Sequence, residues 1–446
     1  MANFFSNLIK NILFKKVQFR IIRFKNSTFK NRKSKIIDYD FFLKRVYLLR
    51  KRILLFRFRI RYGKLYINHK KICWINPQNI NYSLKVNKNK YYYYLRILKG
   101  EWDKKIADFE SSLFHEAFIQ RFSEGKKWED TKYYQKLLNM INNGIIKARA
   151  KNKEELDKTF RFYDLLFTEI KKNSFISFFN SKFSKRQIDV WEFINNISVH
   201  IGRNGHFLIT DGRHRVSIAK ILNIPKIPAI IIARHEKWIN FRRNLNYFIK
   251  KYQGGKLYQP LIHPDLLNLP FKYRGISFNT IKQNLSSSQG KLLDIGANFG
   301  YFCHKFEDEG FDCYAVEPNL MHVYFMRKLK KAENKRFKII PQSIFEYQKG
   351  KDLVFEVVLA LNGFNVYLKS ENHRRNLINF LKSLKTKELI LKISQSKRKK
   401  TKKYFRSFSN DQLLAFVLNN SCLNNVRLIE KLKDGTSFYI FTATNI

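Results

Sequence analysis

The chain has 446 residues, of which 87 are Lys or Arg and 35 are Asp or Glu, so its formal net charge is +52 at pH 7. This length allows more than one domain with a sizeable core. Because no run of about 18 apolar residues occurs, we expect no transmembrane helix. The four cysteines form no C-x-x-C pair, which argues against a zinc site or a disulfide framework and favours a reducing compartment, the cytoplasm.

The positive charge is concentrated in residues 1–100, which contain 26 Lys or Arg and two acids, Asp38 and Asp40. A surplus of this kind predicts affinity for polyanions such as nucleic acid. Heavy use of Lys, Asn, Ile, Phe and Tyr, the residues that A/T-rich codons specify, explains the charge equally well. We interpret residues 1–75 as a basic N-terminal region without a secretory signal. Within it, segment 41–62 is interpreted as a basic strand or helix packed on the protein, with attachment to an anionic membrane as the alternative.

Residues 76–250 are predicted to form a helical scaffold followed by a small α+β domain. The apolar spacing in 109–122 predicts one helix, and Gly144 is expected to end a second. Farther on, "ISVHIG" and "HFLITD" predict a β-hairpin, "DGRHRVSIAKILNI" a helix and "KIPAIIIARH" a buried strand. Residues 251–287, with two glycines and three prolines in "GGKLYQPLIHPDLLNLP", are predicted to be a connector.

From residue 288 onward, strands and helices alternate. Strands are expected at "KLLDIG", "FDCYAVEPN", "RFKIIPQ", "FEVVLALNG" and "KELILKIS", and helices at "YFCHKFEDEG", "LMHVYFMRKLKKAEN" and "SNDQLLAFVLNN". Alternation predicts a parallel sheet covered by helices. The final segment, "NVRLIEKLKDGTSFYIFTA", predicts a hairpin that adds an antiparallel strand. We therefore expect an α/β, Rossmann-like domain over 288–446.

The stretch "KLLDIGANFGYF" combines a strand, a carboxylate and a glycine turn. Gly296 and Gly300 allow the turn, and Glu317, which follows the next strand, is placed to bind the hydroxyls of a ribose. The dinucleotide pattern G-x-G-x-x-G is not met, and Asp294 would repel a pyrophosphate. A ligand with a ribose, a positive charge and no phosphate suits such a site, and S-adenosylmethionine has these features.

"LLDIGANFGYF" followed by "CYAVEPN" resembles motifs I and II of class I S-adenosylmethionine-dependent methyltransferases. The residues of these two motifs are similar to those of FkbM-type O-methyltransferases. The resemblance implies that Asp294 acts near the methionine amine and that Glu317 binds the ribose. It further implies that a set of loop and strand-end residues contacts the cofactor or shapes its site: Gly296, Asn298, Gly300, Ser343, Ile344 and Asn362.

The catalytic base stays unassigned. His304 and His322, which fall in the helices after the glycine turn and after Glu317, are interpreted as packing or surface residues. A missing base does not exclude activity, because methyl transfer can proceed mainly by alignment of the reacting groups. The N/D-P-P-Y/F motif of DNA-base methyltransferases does not occur at 362–365, which argues against a DNA base as acceptor.

A second motif, "ITDGRHRVSIAK", places Asp211 and Gly212 before a predicted helix. The helix N-terminus, His214 and Arg215 favour an anion. The predicted phosphate site therefore consists of Asp211, Gly212, His214 and Arg215. The alternative is that Asp211 caps the helix and the basic residues are solvated. The stretch resembles the D-G-x-H-R signature of the ParB/sulfiredoxin-like superfamily. Arg213 stands where sulfiredoxins have a cysteine, so sulfinic-acid repair is not supported.

Two functional hypotheses follow. The first is an S-adenosylmethionine-dependent methyltransferase, expected to methylate an oxygen of a small-molecule, sugar or glycan-precursor acceptor, phosphorylated or nucleotide-linked, with an attached phosphate-binding module. The second is a nucleic-acid-binding ParB-like protein whose methyltransferase domain modifies nucleic acid or is inactive. A steep salt dependence of binding would favour the second.

Overall fold

Two seven-stranded sheets organise the computed structural model. The structure describes residues 72–84, 96–148, 150–182, 197–272, 275–350, 352–361, 370–393 and 409–444. All of them belong to the unit Ile67–Ile446. The predictions for segment 41–62 and for nearly all of the basic region therefore lie outside the described residues. Within the described ranges, no helix combines the length and the apolar character needed to cross a membrane.

The first sheet is mixed and lies in the N-terminal half of the unit. Its strands are β1 (Cys73–Ile75), β2 (Tyr82–Leu84), β3 (Arg96–Leu98), β4 (Ile106–Asp108), β5 (Ile197–Ile201), β6 (Phe207–Asp211) and β7 (Ile227–His235). The order is β1-β7-β5-β6-β2-β4, and β3 also pairs with β7. β5 and β6 pair antiparallel, which confirms the predicted hairpin. All nine residues of β7 are buried, as its continuous apolar run predicts.

Five of the described helices belong to this half of the unit. They are α1 (Leu113–Phe122), α2 (Lys132–Asn142), α3 (Lys153–Lys182), α4 (Arg213–Ile221) and α5 (Glu236–Tyr252). α1 begins four residues later than its apolar spacing predicts, because the Asp108 carboxylate accepts hydrogen bonds from the amides of Glu110 and Ser111 in a turn. Ser112 then caps the helix. Gly144 follows α2 with a φ of 75°, as predicted. α5 is a helix that the sequence analysis did not predict.

The second sheet carries the strand order of a doubly wound α/β fold. Its strands are β8 (Gly290–Ile295), β9 (Phe311–Val316), β10 (Lys338–Ile340), β11 (Leu353–Ala360), β12 (Leu384–Ile393), β13 (Asn425–Lys431) and β14 (Ser437–Thr442). They are arranged as β10-β9-β8-β11-β12-β14-β13. β8 to β12 are parallel, and β14 is antiparallel to both of its neighbours. The predicted Rossmann-like sheet with a terminal antiparallel hairpin is confirmed. The chain continues from β8 to β9 and β10 on one side of β8 and then crosses to β11 and β12 on the other side, so the strand order reverses between β8 and β11. Ligands of such sheets bind at the carboxyl ends of the strands near this reversal.

Both faces of the second sheet are covered. The helices are α6 (Phe278–Asn284), α7 (Tyr301–Asp308), α8 (Leu320–Ala332), α9 (Ile344–Tyr347), α10 (Glu371–Ser383) and α11 (Asn410–Asn420). Adjacent strand residues point to opposite faces, so Leu292 packs with α6 and α7 while Leu293 packs with α10 and α11. α6, which lies within the predicted connector, was not predicted from the sequence, and neither were α9 and α10.

The predicted connector, 251–287, contributes to the core instead of only joining two parts. His263 is fully buried, and its Nε2 donates to the carbonyl of Gly205 while its Nδ1 accepts from the amide of Asp265. Asp265 in turn binds the guanidinium of Arg234 and the indole N–H of Trp238. The two halves share one apolar cluster, in which Phe248 of α5 packs on Phe325 of α8.

Candidate functional site

The turn between β8 and α7 lies at the carboxyl end of the sheet. Gly296, Asn298 and Gly300 have positive φ values of 72°, 56° and 78°, which glycine and asparagine adopt most readily. A Cβ on Gly300 would lie 3.1 Å from Cγ of Met326, so the turn packs closely on α8. The amides of Gly296 and Ala297 donate to the carbonyl of Val316 at the end of β9. These bonds hold the turn against the neighbouring strand.

Glu317 directly follows β9 and is bound to this turn. Its Oε2 accepts from the amide of Asn298 at 2.8 Å, and its Oε1 accepts from the amide of Asn319 at 2.9 Å. The Nδ1 atom of His322 lies 3.4 Å from Oε1 of Glu317, so His322 contacts this carboxylate directly. A carboxylate has about four lone-pair positions. Each oxygen accepts one amide and can accept a further hydrogen bond, as the binding of two vicinal hydroxyls requires.

Asp294 is the second acid of the site. It lies near the end of β8 and is 3% exposed. Burial, reinforced by the negative charge of Glu317, raises the pKa of Asp294 to about 7. The thiol of Cys303 donates to Oδ2 of Asp294 at 3.9 Å. Among the described residues, neither Asp294 nor Glu317 forms an ion pair with a lysine or an arginine. Two adjacent buried acids without a cation favour a positively charged ligand.

The third strand ends next to the same site. The amide of Glu317 donates to the carbonyl of Ile340 in β10, and Ser343 follows three residues later. Ser343 forms a capping box with Glu346 at the start of α9. Ile344 is 2% exposed and its side chain packs in the sheet core, so a contact with an adenine would have to involve its backbone. Asn362 lies outside the described residues.

The two histidines of this region differ. His304 is buried, and desolvation lowers its pKa to about 3, which fits the predicted packing role. Its ring packs edge-on against Phe337, 4.9 Å between centroids. His322 contacts Glu317 and packs its ring against Phe299 of the glycine turn, 5.4 Å between centroids. The spacing of Glu317 and His322, five residues apart across the start of a helix, was the signal that could have placed His322 at the site.

The "DGRHR" motif lies at the start of α4 in the other half. Gly212 has a φ of 85° and occupies the N-cap position, so Asp211 does not occupy that position as the alternative required. Instead the Asp211 carboxylate accepts from the amide of Gly212 at 2.8 Å. A Cβ at Gly212 would lie 3.0 Å from the Cα of Ile197, so a side chain does not fit there.

The basic side chains of this motif are not freely solvated. The ring of His214 stacks on Tyr163 at 4.3 Å and packs edge-on against Phe114 at 5.0 Å. Burial lowers the pKa of Arg215, and the negative charge of Asp211 opposes this shift. The sequence analysis did not find this aromatic cluster. The spacing of Phe114 and Phe118, four residues apart on α1, could have indicated an aromatic helix face. Nothing in the sequence indicates that Tyr163 on α3 joins it.

No protein-family model and no curated protein matches the sequence. Among solved structures, the bifunctional kinase-methyltransferase WbdD is 16% identical over 44% of this chain and 46% of its own, with a TM-score of 0.35. This chain therefore spans about half the length of that protein. A 16S rRNA methyltransferase from T. Thermophilus, RsmC, is 12% identical over 37% of this chain and 41% of its own, with a TM-score of 0.29.

A magnesium protoporphyrin IX methyltransferase from Synechocystis PCC 6803, ChlM, is 10% identical over 34% of this chain and 69% of its own, with a TM-score of 0.27. All three TM-scores are below 0.5, so we infer function from the geometry of the site and not from these similarities.

Proposed function

We propose that the protein is an S-adenosylmethionine-dependent methyltransferase whose cofactor site lies at the carboxyl ends of β8, β9 and β10. The observation that carries the proposal is the position of Glu317, which is bound to the glycine turn through Asn298 and lies next to the buried Asp294. This arrangement offers hydroxyl acceptors and a negative field in one place. The structural similarities do not contribute to this assignment.

The acid pair distinguishes this ligand from a dinucleotide. A pyrophosphate would face two buried carboxylates, with no lysine or arginine paired to either acid among the described residues. S-adenosylmethionine carries a ribose for Glu317 and two positive charges, an ammonium and a sulfonium. A cation near Asp294 would favour the ionised carboxylate and reverse the pKa shift that burial causes.

Each residue of the site would have a distinct role. When bound, S-adenosylmethionine supplies an electrophilic methyl group. Glu317 would orient the ribose, and the backbone of Gly296, Asn298 and Gly300 would shape the turn around the ligand. Asp294 would act near the methionine amine. Orientation of this kind supplies much of the rate enhancement of a transfer between two bound groups.

We further propose that the acceptor is a small molecule, a sugar or a glycan precursor and that the methylated atom is an oxygen. The proposed phosphate site of Asp211, Gly212, His214 and Arg215 would hold an anionic part of such a molecule. In that site Arg215 supplies the charge and the first turn of α4 supplies amide donors.

Calorimetric titration with S-adenosylmethionine, S-adenosylhomocysteine and NAD tests the cofactor. We expect both S-adenosyl compounds to bind and NAD not to bind. Glu317→Ala should weaken binding at least about a hundredfold, since it removes the acceptor of two strong hydrogen bonds.

Glu388→Ala is the matched control. Glu388 is also buried, and its carboxylate also accepts two backbone amides, those of Ser286 and Ser287. Both variants should lose stability similarly, but only Glu317→Ala should lose cofactor binding. Equal loss in the two variants, or tight binding in Glu317→Ala, would show that the site is assigned wrongly.

A further inference from the structure

An open cleft lies between the two halves of the unit, and no residue of either motif lines it. Its volume is about 280 Å³. One wall comes from the turn between β5 and β6 and from the first turns of α5, and the other comes from α8. Pockets for small molecules often form where two parts of a chain meet, and their volumes begin near about 300 Å³. The cleft lies just below this range, so it suits a ligand smaller than a drug-sized molecule.

The residues around this cleft carry positive charge. Lys237 of α5, Lys328 of α8 and Arg203 line it, and no acidic residue does. Arg203 is paired with Asp103 and Glu101 outside the cleft. Lys237 and Lys328 are exposed, and neither has an ion-pair or hydrogen-bond partner for its ammonium among the residues that the structure describes. Two such ammonium groups on opposite walls suit a divalent anion, and lysine is a common ligand of phosphate.

The cleft also offers neutral hydrogen-bonding groups. Asn240 and Asn244 are four residues apart on α5, so they lie on the same helix face, next to Lys237. Each amide provides two donors and one acceptor oxygen. Arg243 donates to Oδ1 of Asn240 at 3.4 Å, which leaves the amide donors of that side chain available to a ligand. The rings of Trp238 and Phe241 form an apolar floor, which exposes only a small area because both side chains are buried.

We infer that this cleft binds a small phosphate ester that carries hydroxyl groups, with Lys237 and Lys328 holding the phosphate. Asn240 and Asn244 would bind the hydroxyls, and the aromatic floor would contact the carbon skeleton. A phosphate alone would leave the asparagines and the floor unused, and a neutral sugar would leave the two lysines uncompensated. The inference does not depend on the proposed methyl transfer.

Calorimetry on the full chain at physiological salt tests this site with three probes: inorganic phosphate, glucose 6-phosphate and glucose. We expect saturable binding of glucose 6-phosphate, weaker binding of phosphate and the weakest binding of glucose. The double variant Lys237→Gln/Lys328→Gln should weaken binding of glucose 6-phosphate by about tenfold or more, because both charge-assisted contacts are removed.

The control is Lys136→Gln/Lys226→Gln, which removes two exposed lysines from other surfaces and lowers the net charge equally. It should leave the affinity unchanged within about twofold, which is about 0.4 kcal/mol. Equal losses in the two double variants would show that the overall charge of the chain binds the probe, and the inference would be wrong. Lack of saturable binding in the unmodified chain would also overturn it.

A second double variant separates the phosphate from the hydroxyl groups. In Asn240→Ala/Asn244→Ala, the affinity for glucose 6-phosphate should fall to that for inorganic phosphate, while the affinity for phosphate stays the same. Both asparagines are exposed, so the fold should be retained. If glucose 6-phosphate keeps its advantage, the ligand class assigned here is wrong.

Discussion

The glycine turn after β8 and the "DGRHR" turn before α4 are built alike but differ in what their side chains contact. Each joins a strand to a helix through a glycine with positive φ. At the first turn, Asp294 and Glu317 have no cation among the described residues, so their charges remain for a ligand. At the second, His214 stacks on Tyr163, and Arg215 is half-buried and lies near the negative charge of Asp211. The acids of the first turn are therefore available to a ligand, whereas a phosphate at the second turn would have to share His214 and Arg215 with their protein partners.

The largest loss of stability is expected when Gly212 of the second turn is replaced by alanine. Gly212→Ala would place a Cβ 3.0 Å from the Cα of Ile197, at a φ of 85°. The backbone cannot give way as a flexible side chain can, so we expect a loss of about 3 kcal/mol in the free energy of unfolding, measured in urea. Gly144→Ala has a similar φ of 75° with no atom within 4 Å, so it measures the conformational cost alone, about 1 kcal/mol. Similar losses in both variants would contradict the close packing at Ile197.

The contact between the two halves provides a pH-dependent test. Glu333 of α8 is 3% exposed and accepts a hydrogen bond from the side chain of Asn79 at 2.7 Å. Burial raises its pKa from 4.5 to about 7. Since the folded form holds the proton more tightly, the stability contributed by protonated Glu333 is full below pH 4.5 and is lost as the pH rises to 7.

Glu333→Gln removes this titration. Relative to the unmodified chain, the variant should gain about 3 kcal/mol of stability between pH 4.5 and 7.5, because each unit of pKa shift corresponds to about 1.4 kcal/mol. Denaturation curves at several pH values measure this difference. Burial lowers the pKa values of His263 and His304 to about 4 and about 3, so their protonation destabilises the folded protein at low pH. This effect is the same in the variant and in the unmodified chain, and it therefore cancels in the difference. A constant difference across the range would show that Glu333 is ionised in the folded protein.

The glycine turn should show a pH dependence of ligand binding. Because the pKa of Asp294 is raised to about 7, a cationic cofactor must displace its proton at lower pH. We expect the affinity for S-adenosylmethionine to fall by up to about tenfold for each pH unit below 7 and to be constant above it. Asp294→Asn should bind more weakly but without this slope. Calorimetry in buffers of different ionisation enthalpy measures the released proton, and equal affinities at pH 6 and 8 would place the positive charge away from Asp294.

Much of the second sheet could be predicted because its signals are local. Buried parallel strands are continuous apolar runs, and the interval between Gly296 and Glu317 corresponds to one helix and one strand, which returns the carboxylate to the turn. Long-range pairing carries no local signal. The sequence does not indicate that Asp265 pairs with Arg234, or that Glu388 caps the amides of Ser286 and Ser287.

The helices that were missed show the same limit. α5 has buried residues such as Phe241 and Leu245 at helical spacing, but lysines, arginines and asparagines separate them, and its apolar face packs on the second half of the unit. The aromatic environment of His214 combines α1 and α3 with α4, so it depends on the packing of three separate helices. The phosphate interpretation of the "DGRHR" motif was therefore reached without the residues that now compete for His214.

The smallest expected effect distinguishes these two roles of His214. His214→Phe keeps a flat ring against Tyr163 and Phe114, so stability should change by about 1 kcal/mol or less. His214→Ala removes the ring and should cost about 2 kcal/mol. If His214 also binds phosphate, the Phe variant should bind inorganic phosphate several-fold more weakly than the unmodified chain while its stability is retained. Because Lys237→Gln/Lys328→Gln removes the cleft between the halves as a second phosphate site, the titration is made in that background. Unchanged phosphate binding in His214→Phe would leave the histidine with a packing role alone, and the "DGRHR" turn would then resemble the glycine turn in backbone geometry but not in function.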